Sequence, residues 1–141
     1  MKTIEIFTAG TSNYVYQMKL IGLGLKRFKQ KNYKYIYHVM IDNKELVIDQ
    51  YKDTFKELES DDFVVDLLGS SLIQSKLSED TRQDGMTMTY AKVLAPSLFP
   101  SAEKVLWLDC DLVVRKGGIE QLFNLDLKNY YVGAVNDVPM N

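Results

Sequence analysis

Lys104-Val105-Leu106-Trp107-Leu108-Asp109-Cys110-Asp111-Leu112-Val113-Val114 changes character in its middle. Val105 to Leu108 is a continuous apolar run, the pattern of a strand buried on both faces of a mainly parallel sheet. The chain then turns acidic. Asp109 and Asp111 are two residues apart, so in extended geometry their side chains point the same way, with Cβ atoms roughly 6 to 7 Å apart. That spacing suits one shared hard cation. Asp-x-Asp alone is equally a solvated turn or a helix cap. Here it ends a buried strand, where carboxylates need solvent, a basic residue or a metal. In open α/β sheets ligands collect beyond the carboxyl ends of the strands. The stretch therefore reads as a metal site that holds a phosphorylated ligand.

Working outward, alternating elements lead up to this strand. Thr3 to Thr8 predicts a first strand, followed by a small polar turn at Ala9, Gly10, Thr11 and Ser12. Tyr14, Met18, Ile21, Leu25 and Phe28 recur at helical spacing and form one apolar stripe, with Ser12 or Asn13 able to cap its start. Gly22 and Gly24 fall inside that helix and not after a strand, which disfavours a dinucleotide fingerprint and favours close packing on the sheet. Tyr33 to Ile41 predicts a second strand, in which His38 is read as structural. Lys44 to Glu59 predicts a second helix and Phe63 to Leu67 a third strand. Gly69 to Gly85 is a long polar loop with room for a short helix, of a length that usually carries function. Met86 to Leu98 returns to a helical pattern, broken at Pro96 and ended by Pro100. After the acidic pair come a turn at Gly117-Gly118, a short helix around Ile119, Leu122 and Phe123, and a strand from Tyr131 to Val135 ending at Asn136-Asp137. This alternation predicts an α/β fold with a doubly wound, mostly parallel sheet.

Composition narrows the function classes. The chain has 141 residues, 46% hydrophobic and 26% charged, enough for one globular domain with a real core. A net charge of -2 without a basic cluster argues against nucleic acid as a partner. Cys110 is the single cysteine, so no internal disulfide forms and a reducing compartment is expected. Glu5 falls where a signal peptide needs an apolar core, and no run reaches membrane-spanning length. The expected location is cytoplasmic.

Three segments together resemble glycosyltransferase family 8, which includes bacterial lipopolysaccharide galactosyl- and glucosyltransferases and glycogenin. They are Thr89-Tyr90-Ala91-Lys92, Lys104 to Asp111, and Val132-Gly133-Ala134 with Asp137. The resemblance extends to Ala9 through Tyr14 and to His38-Val39. It implies a GT-A fold whose Rossmann-like, nucleotide-sugar-binding half is residues 1–141, with the acceptor part expected beyond Asn141. It also implies a retaining hexosyltransferase that uses a UDP-sugar donor, a glycan or glycolipid acceptor and Mn2+, or Mg2+ in its place. Carried over by position, Asp109 and Asp111 hold the metal, and Asp109 with the Cys110 backbone lies near the nucleoside. Thr11, Ser12, Asn13 and Tyr14 match the turn that receives uridine. Lys92 falls near the diphosphate and donor sugar, and Asp137 matches an acidic residue near that sugar. Peripheral membrane association is left to a region C-terminal to Asn141.

Departures from the family pattern accompany these matches. Thr11 stands where the family often has aspartate, which shifts the uracil contact toward backbone groups. The family's later metal-binding histidine, in a His-x-x-Gly-x-x-Lys-Pro-Trp-like segment, has no counterpart in these residues, and His38 cannot replace it by position. The chain by itself is therefore expected to bind UDP weakly and to transfer nothing. Two other readings remain at this stage: a catalytically dead nucleotide-binding module, and a haloacid-dehalogenase-like phosphatase whose nucleophile loop Asp109-Cys110-Asp111-Leu112-Val113 mimics.

Overall fold

The computed structural model describes residues 1–42, 48–74, 76 and 87–134. Four parallel strands make one sheet: β1 (Lys2–Thr11), β2 (Tyr33–Asp42), β3 (Phe63–Gly69) and β4 (Leu106–Trp107), in the order β3-β2-β1-β4. Parallel neighbours need crossovers, and helices supply them. These are α1 (Val15–Phe28), the short α2 (Lys52–Phe55) between two 3-10 turns, α3 (Ser71–Gln74) and α4 (Thr87–Leu98). A final short helix, α5 (Ile119–Phe123), follows Gly118, whose φ of 128° suits a glycine.

The two faces of the sheet bury different sets. Ile4 and Ile6 of β1 with Tyr35, Tyr37, Val39 and Ile41 of β2 point toward Val15, Met18, Ile21 and Leu25 of α1 and toward Phe55 and Leu58. On the opposite face Phe7, Ala9 and Met40 meet Ile73, Met88, Ala91 and Ala95. β4 obeys the same alternation. Leu106 and Leu108 join the first face, while Val105 and Trp107 join the second. The expected double winding is therefore present, with helices on both sides.

Several boundaries differ from the expectation for physical reasons. β1 runs through Ala9 and Gly10 to Thr11, because β2 pairs with it over ten residues, so the turn starts at Ser12. Neither Ser12 nor Asn13 caps α1. A 3-10 turn over Ser12–Tyr14 leads into the helix, and the Val15 N–H is satisfied by the Ser12 carbonyl. Pro96 does not break α4: the helix gives up one backbone bond there but runs on to Leu98, and Phe99 N–H still donates to the Ala95 carbonyl at 2.9 Å. The predicted second helix is a mixed 3-10 and α run over 48–58, and its expected start at 44–47 lies outside the described residues. Most of the predicted loop, 75 and 77–85, does as well. No strand forms at 131–134. Tyr131 is 100% and Val132 79% exposed, and a strand needs a neighbour to accept its backbone bonds.

Gly22 fits the packing reading. A Cβ there would meet Leu58 Cδ1 at 2.5 Å and Tyr37 Cε1 at 3.1 Å. Gly24 packs elsewhere: its added Cβ would lie 2.8 Å from Val114 Cβ, so the chain leaving the acidic pair rides along α1.

Candidate functional site

Asp109 and Asp111 follow β4 directly, at its carboxyl end beside the end of β1. β4 is short. Leu106 and Trp107 pair with Ile6 and Phe7, Leu108 N–H donates to the Phe7 carbonyl at 3.0 Å, and the chain then turns. Extended geometry does not persist through the pair as the sequence suggested. Leu112 N–H reaches the Asp109 carbonyl at 3.4 Å, so Asp109 to Leu112 forms a turn that holds both carboxylates in solvent. Leu108 is the buried anchor just ahead of them.

Cys110 points inward, against the first-face core. Burial pushes its thiol up, and the Asp111 and Asp109 carboxylates push it further, so it stays a thiol and is a poor nucleophile. Its neighbour is Gly10. A Cβ on Gly10 would meet Cys110 Sγ at 3.1 Å, Cys110 Cβ at 3.2 Å and Tyr14 Cβ at 3.2 Å. The missing side chain thus lets the Ser12–Tyr14 turn and the acidic turn close on the same point. Ser12, Asn13 and Tyr14 are exposed there and Thr11 is half-buried. Thr11 makes no side-chain capping bond, nor does Tyr14.

The remaining predicted residues are placed less fully. Lys92 is exposed on α4, next to buried Ala91, which packs into the Phe7 face. Asp137 lies outside the described residues. The structure therefore brings together Thr11 to Tyr14 with Asp109, Cys110 and Asp111, and gives no contact from Lys92 to them.

For a divalent cation the donor set fits. Mg2+-like ions are commonly held by one or two carboxylates with water and phosphate oxygens completing the shell. Asp109 and Asp111 supply two hard oxygen donors in the open, and among the described residues no group of three His, Cys, Asp or Glu side chains forms a closed metal cage.

Two features were not foreseen from the sequence. Trp107 donates its indole N–H to Asp109 Oδ1 at 2.8 Å. The signal was present in the Trp-x-Asp spacing, since residues two apart on a strand share a face. The other is His38. Its Nδ1 lies 2.7 Å from Asp66 Oδ2 and its Nε2 bonds Glu5 Oε2, joining three adjacent strands. Burial pushes the imidazole down, but the Asp66 and Glu5 carboxylates outweigh it and hold the ring above its ordinary value. It stands apart from the acidic turn and has a structural setting. An open groove of about 550 Å³ lined by Lys52, Lys56, Glu59 and Asp66, among others, lies beside β3, the edge opposite β4. Among the described residues no helix is long and apolar enough to cross a membrane.

Comparison with known proteins bears on the family and the fold. The family model for glycosyl transferase family 8 matches residues 6–141. Glycosyltransferase 8 domain-containing protein 1 of Danio rerio is 33% identical over 69 residues, 48% of this chain and 19% of that protein. Among solved structures, the WbbM bifunctional glycosyltransferase superposes with a TM-score of 0.72 at 19% identity, covering 91% of this chain and 22% of that one. GlyE of Streptococcus pneumoniae gives 0.67 at 24% identity, over 93% and 29%. The galactosyltransferase LgtC, solved with donor and acceptor sugar analogs, gives 0.56 at 16% identity, over 89% and 44%. The chain thus spans about a fifth to under a half of the length of these relatives. What the structural likenesses share with it is the α/β, GT-A type fold.

Proposed function

This chain belongs to glycosyl transferase family 8, and from that premise we propose that it is the donor-binding part of a retaining hexosyltransferase. The donor is a UDP-sugar and the acceptor a glycan or glycolipid. The observation that carries this reading is the closure at Gly10, where the Ser12–Tyr14 turn meets Cys110 between two exposed aspartates at the carboxyl edge of the sheet. One ligand with a nucleoside at one end and a diphosphate at the other spans those two turns.

In this reading Thr11, Ser12, Asn13 and Tyr14 receive the uridine, offering hydroxyl, amide and aromatic groups beside backbone polar atoms. Asp109 and Asp111 hold Mn2+ or Mg2+ at the diphosphate. The cation supplies Lewis-acid stabilisation of the charge that develops on the departing UDP. Lys92, a cation on the exposed side of α4, adds electrostatic stabilisation to the same charge. Asp137 serves beside the donor sugar. During transfer the bond from the anomeric carbon to the UDP oxygen breaks, a bond to the acceptor hydroxyl oxygen forms, and the hydroxyl proton leaves with the departing phosphate. Family membership leaves the phosphatase alternative without support.

Calorimetry of UDP binding tests this directly. Binding is expected with Mn2+ and is lost with a chelator, because without the ion two carboxylates face a diphosphate. Asp111→Asn is expected to weaken Mn2+-dependent binding by the ~1.5–3 kcal/mol typical of a lost charged partner. Equal UDP affinity with and without chelator refutes the proposal.

A further inference from the structure

We propose that Trp107 is the positioning residue for Asp109, fixing the direction of this exposed carboxylate from the buried layer beneath it. The inference rests on the reading of Asp109 as a cation ligand. An exposed aspartate ordinarily samples several rotamers and loses that freedom on binding a ligand. Here the Trp107 indole N–H, 2.8 Å from Asp109 Oδ1, holds one oxygen in place. Among the described residues nothing else bonds this carboxylate, so Oδ2 is left for a ligand.

The indole is itself fixed. Trp107 pairs in register with Phe7 across the β1/β4 ladder, and the two rings meet edge-on, with centroids 5.1 Å apart at 78°. Phe7 is fully buried and meets Phe99 in the same manner at 5.0 Å and 72°. Phe99 lies 4.1 Å from the His38 ring, which Glu5 and Asp66 clamp from both sides. A half-buried indole needs an acceptor for its N–H, and Asp109 is the acceptor that strand geometry offers two residues on. Orientation of a metal ligand by an outer hydrogen bond is typically worth a factor of about 10 to 100 in metal affinity.

Trp107 is the sole tryptophan, so the intact 141-residue chain gives a single indole N–H resonance. Asp109→Ala is expected to move that resonance upfield and to speed its exchange with water. An unmoved resonance overturns the positioning contact. Addition of Mn2+ with UDP is expected to broaden the same signal in the wild type. If Asp109→Ala moves the resonance but Mn2+ leaves it sharp, the cation reading of Asp109 fails, and the positioning role with it. Trp107→Phe keeps an aromatic ring against Phe7 and removes the N–H donor together with part of the indole. It is expected to raise the Mn2+ dissociation constant about tenfold. Val105→Ala, which loosens the same strand face without touching Asp109, is expected to change it less than about twofold on the same scale. Equal losses in the two variants show general loosening of β4 and overturn the proposal.

Discussion

The two faces of the sheet divide the work of the molecule. The α1 face is almost wholly apolar and carries the large, fully buried side chains Tyr35, Tyr37, Phe55, Phe63 and Ile21. Some of its polar atoms pair internally, as where the Tyr37 hydroxyl donates to the Met18 carbonyl at 2.8 Å and the Tyr35 hydroxyl to Glu120 Oε1 at 2.7 Å, while Thr8 Oγ1 and Glu120 Oε2 are buried without a partner among the described residues. The α4 face has a smaller core, built around Phe7 with alanines opposite, and it admits an imidazole between two carboxylates. One face holds the sheet together. Leu108 and Cys110 anchor the acidic turn to that same face, and the other face adds the Trp107 bond to Asp109. The direction of the Asp109 carboxylate is thereby set from the side opposite the main core.

Phe7→Ala is the strongest way to break this division, because Phe7 belongs to the α4 face and is also the base on which Trp107 rests. It is expected to lower stability by about 3–5 kcal/mol and to weaken Mn2+ binding in the molecules that remain folded, as read by denaturant unfolding and Mn2+ titration. Ile21→Ala, on the α1 face, is expected to cost about 2–5 kcal/mol while leaving Mn2+ affinity of the folded protein unchanged. A matching loss of Mn2+ affinity in Ile21→Ala would mean that the two faces are not separable.

His38 gives the smallest and most specific effect. Its pKa is raised in the folded state, so its stabilising contribution is complete below the unfolded value of about 6.5 and is lost as pH rises through the higher folded value. Wild-type stability is expected to fall as pH rises across that window, and His38→Gln to flatten the profile. An unchanged pH profile in His38→Gln shows that the carboxylates do not hold the proton.

Much of this was legible from residue order. Apolar runs at period two and stripes at helical period identified β1, β2, β3 and α1, because burial imposes those periods on the chain. The acidic pair was legible for a similar reason, since its position after a buried run assigns it to the carboxyl edge. What escaped was pairwise. That Gly24 receives Val114 and not the sheet, or that His38 reaches Asp66 and Glu5 across two strand neighbours, depends on register between segments distant in sequence. Local propensity also misjudged the ends of elements: Ala9-Gly10 looked like a turn, yet ten paired residues of β2 keep it extended. Tyr131 to Ala134 has strand composition but pairs with no strand among the described residues, and composition alone cannot supply a partner.

Gly10 also acts as a gauge. The nearest approach between the Ser12–Tyr14 turn and the acidic turn is set by the bare Cα there, with Cys110 Sγ and Tyr14 Cβ each standing just over 3 Å from where a methyl would sit. Even alanine would be a wedge, forcing the two turns to part by a few tenths of an ångström or Cys110 to swing aside. The span between the two turns is therefore calibrated by a hydrogen atom. A one-carbon insertion at this position would rescale the site without altering any group that faces solvent.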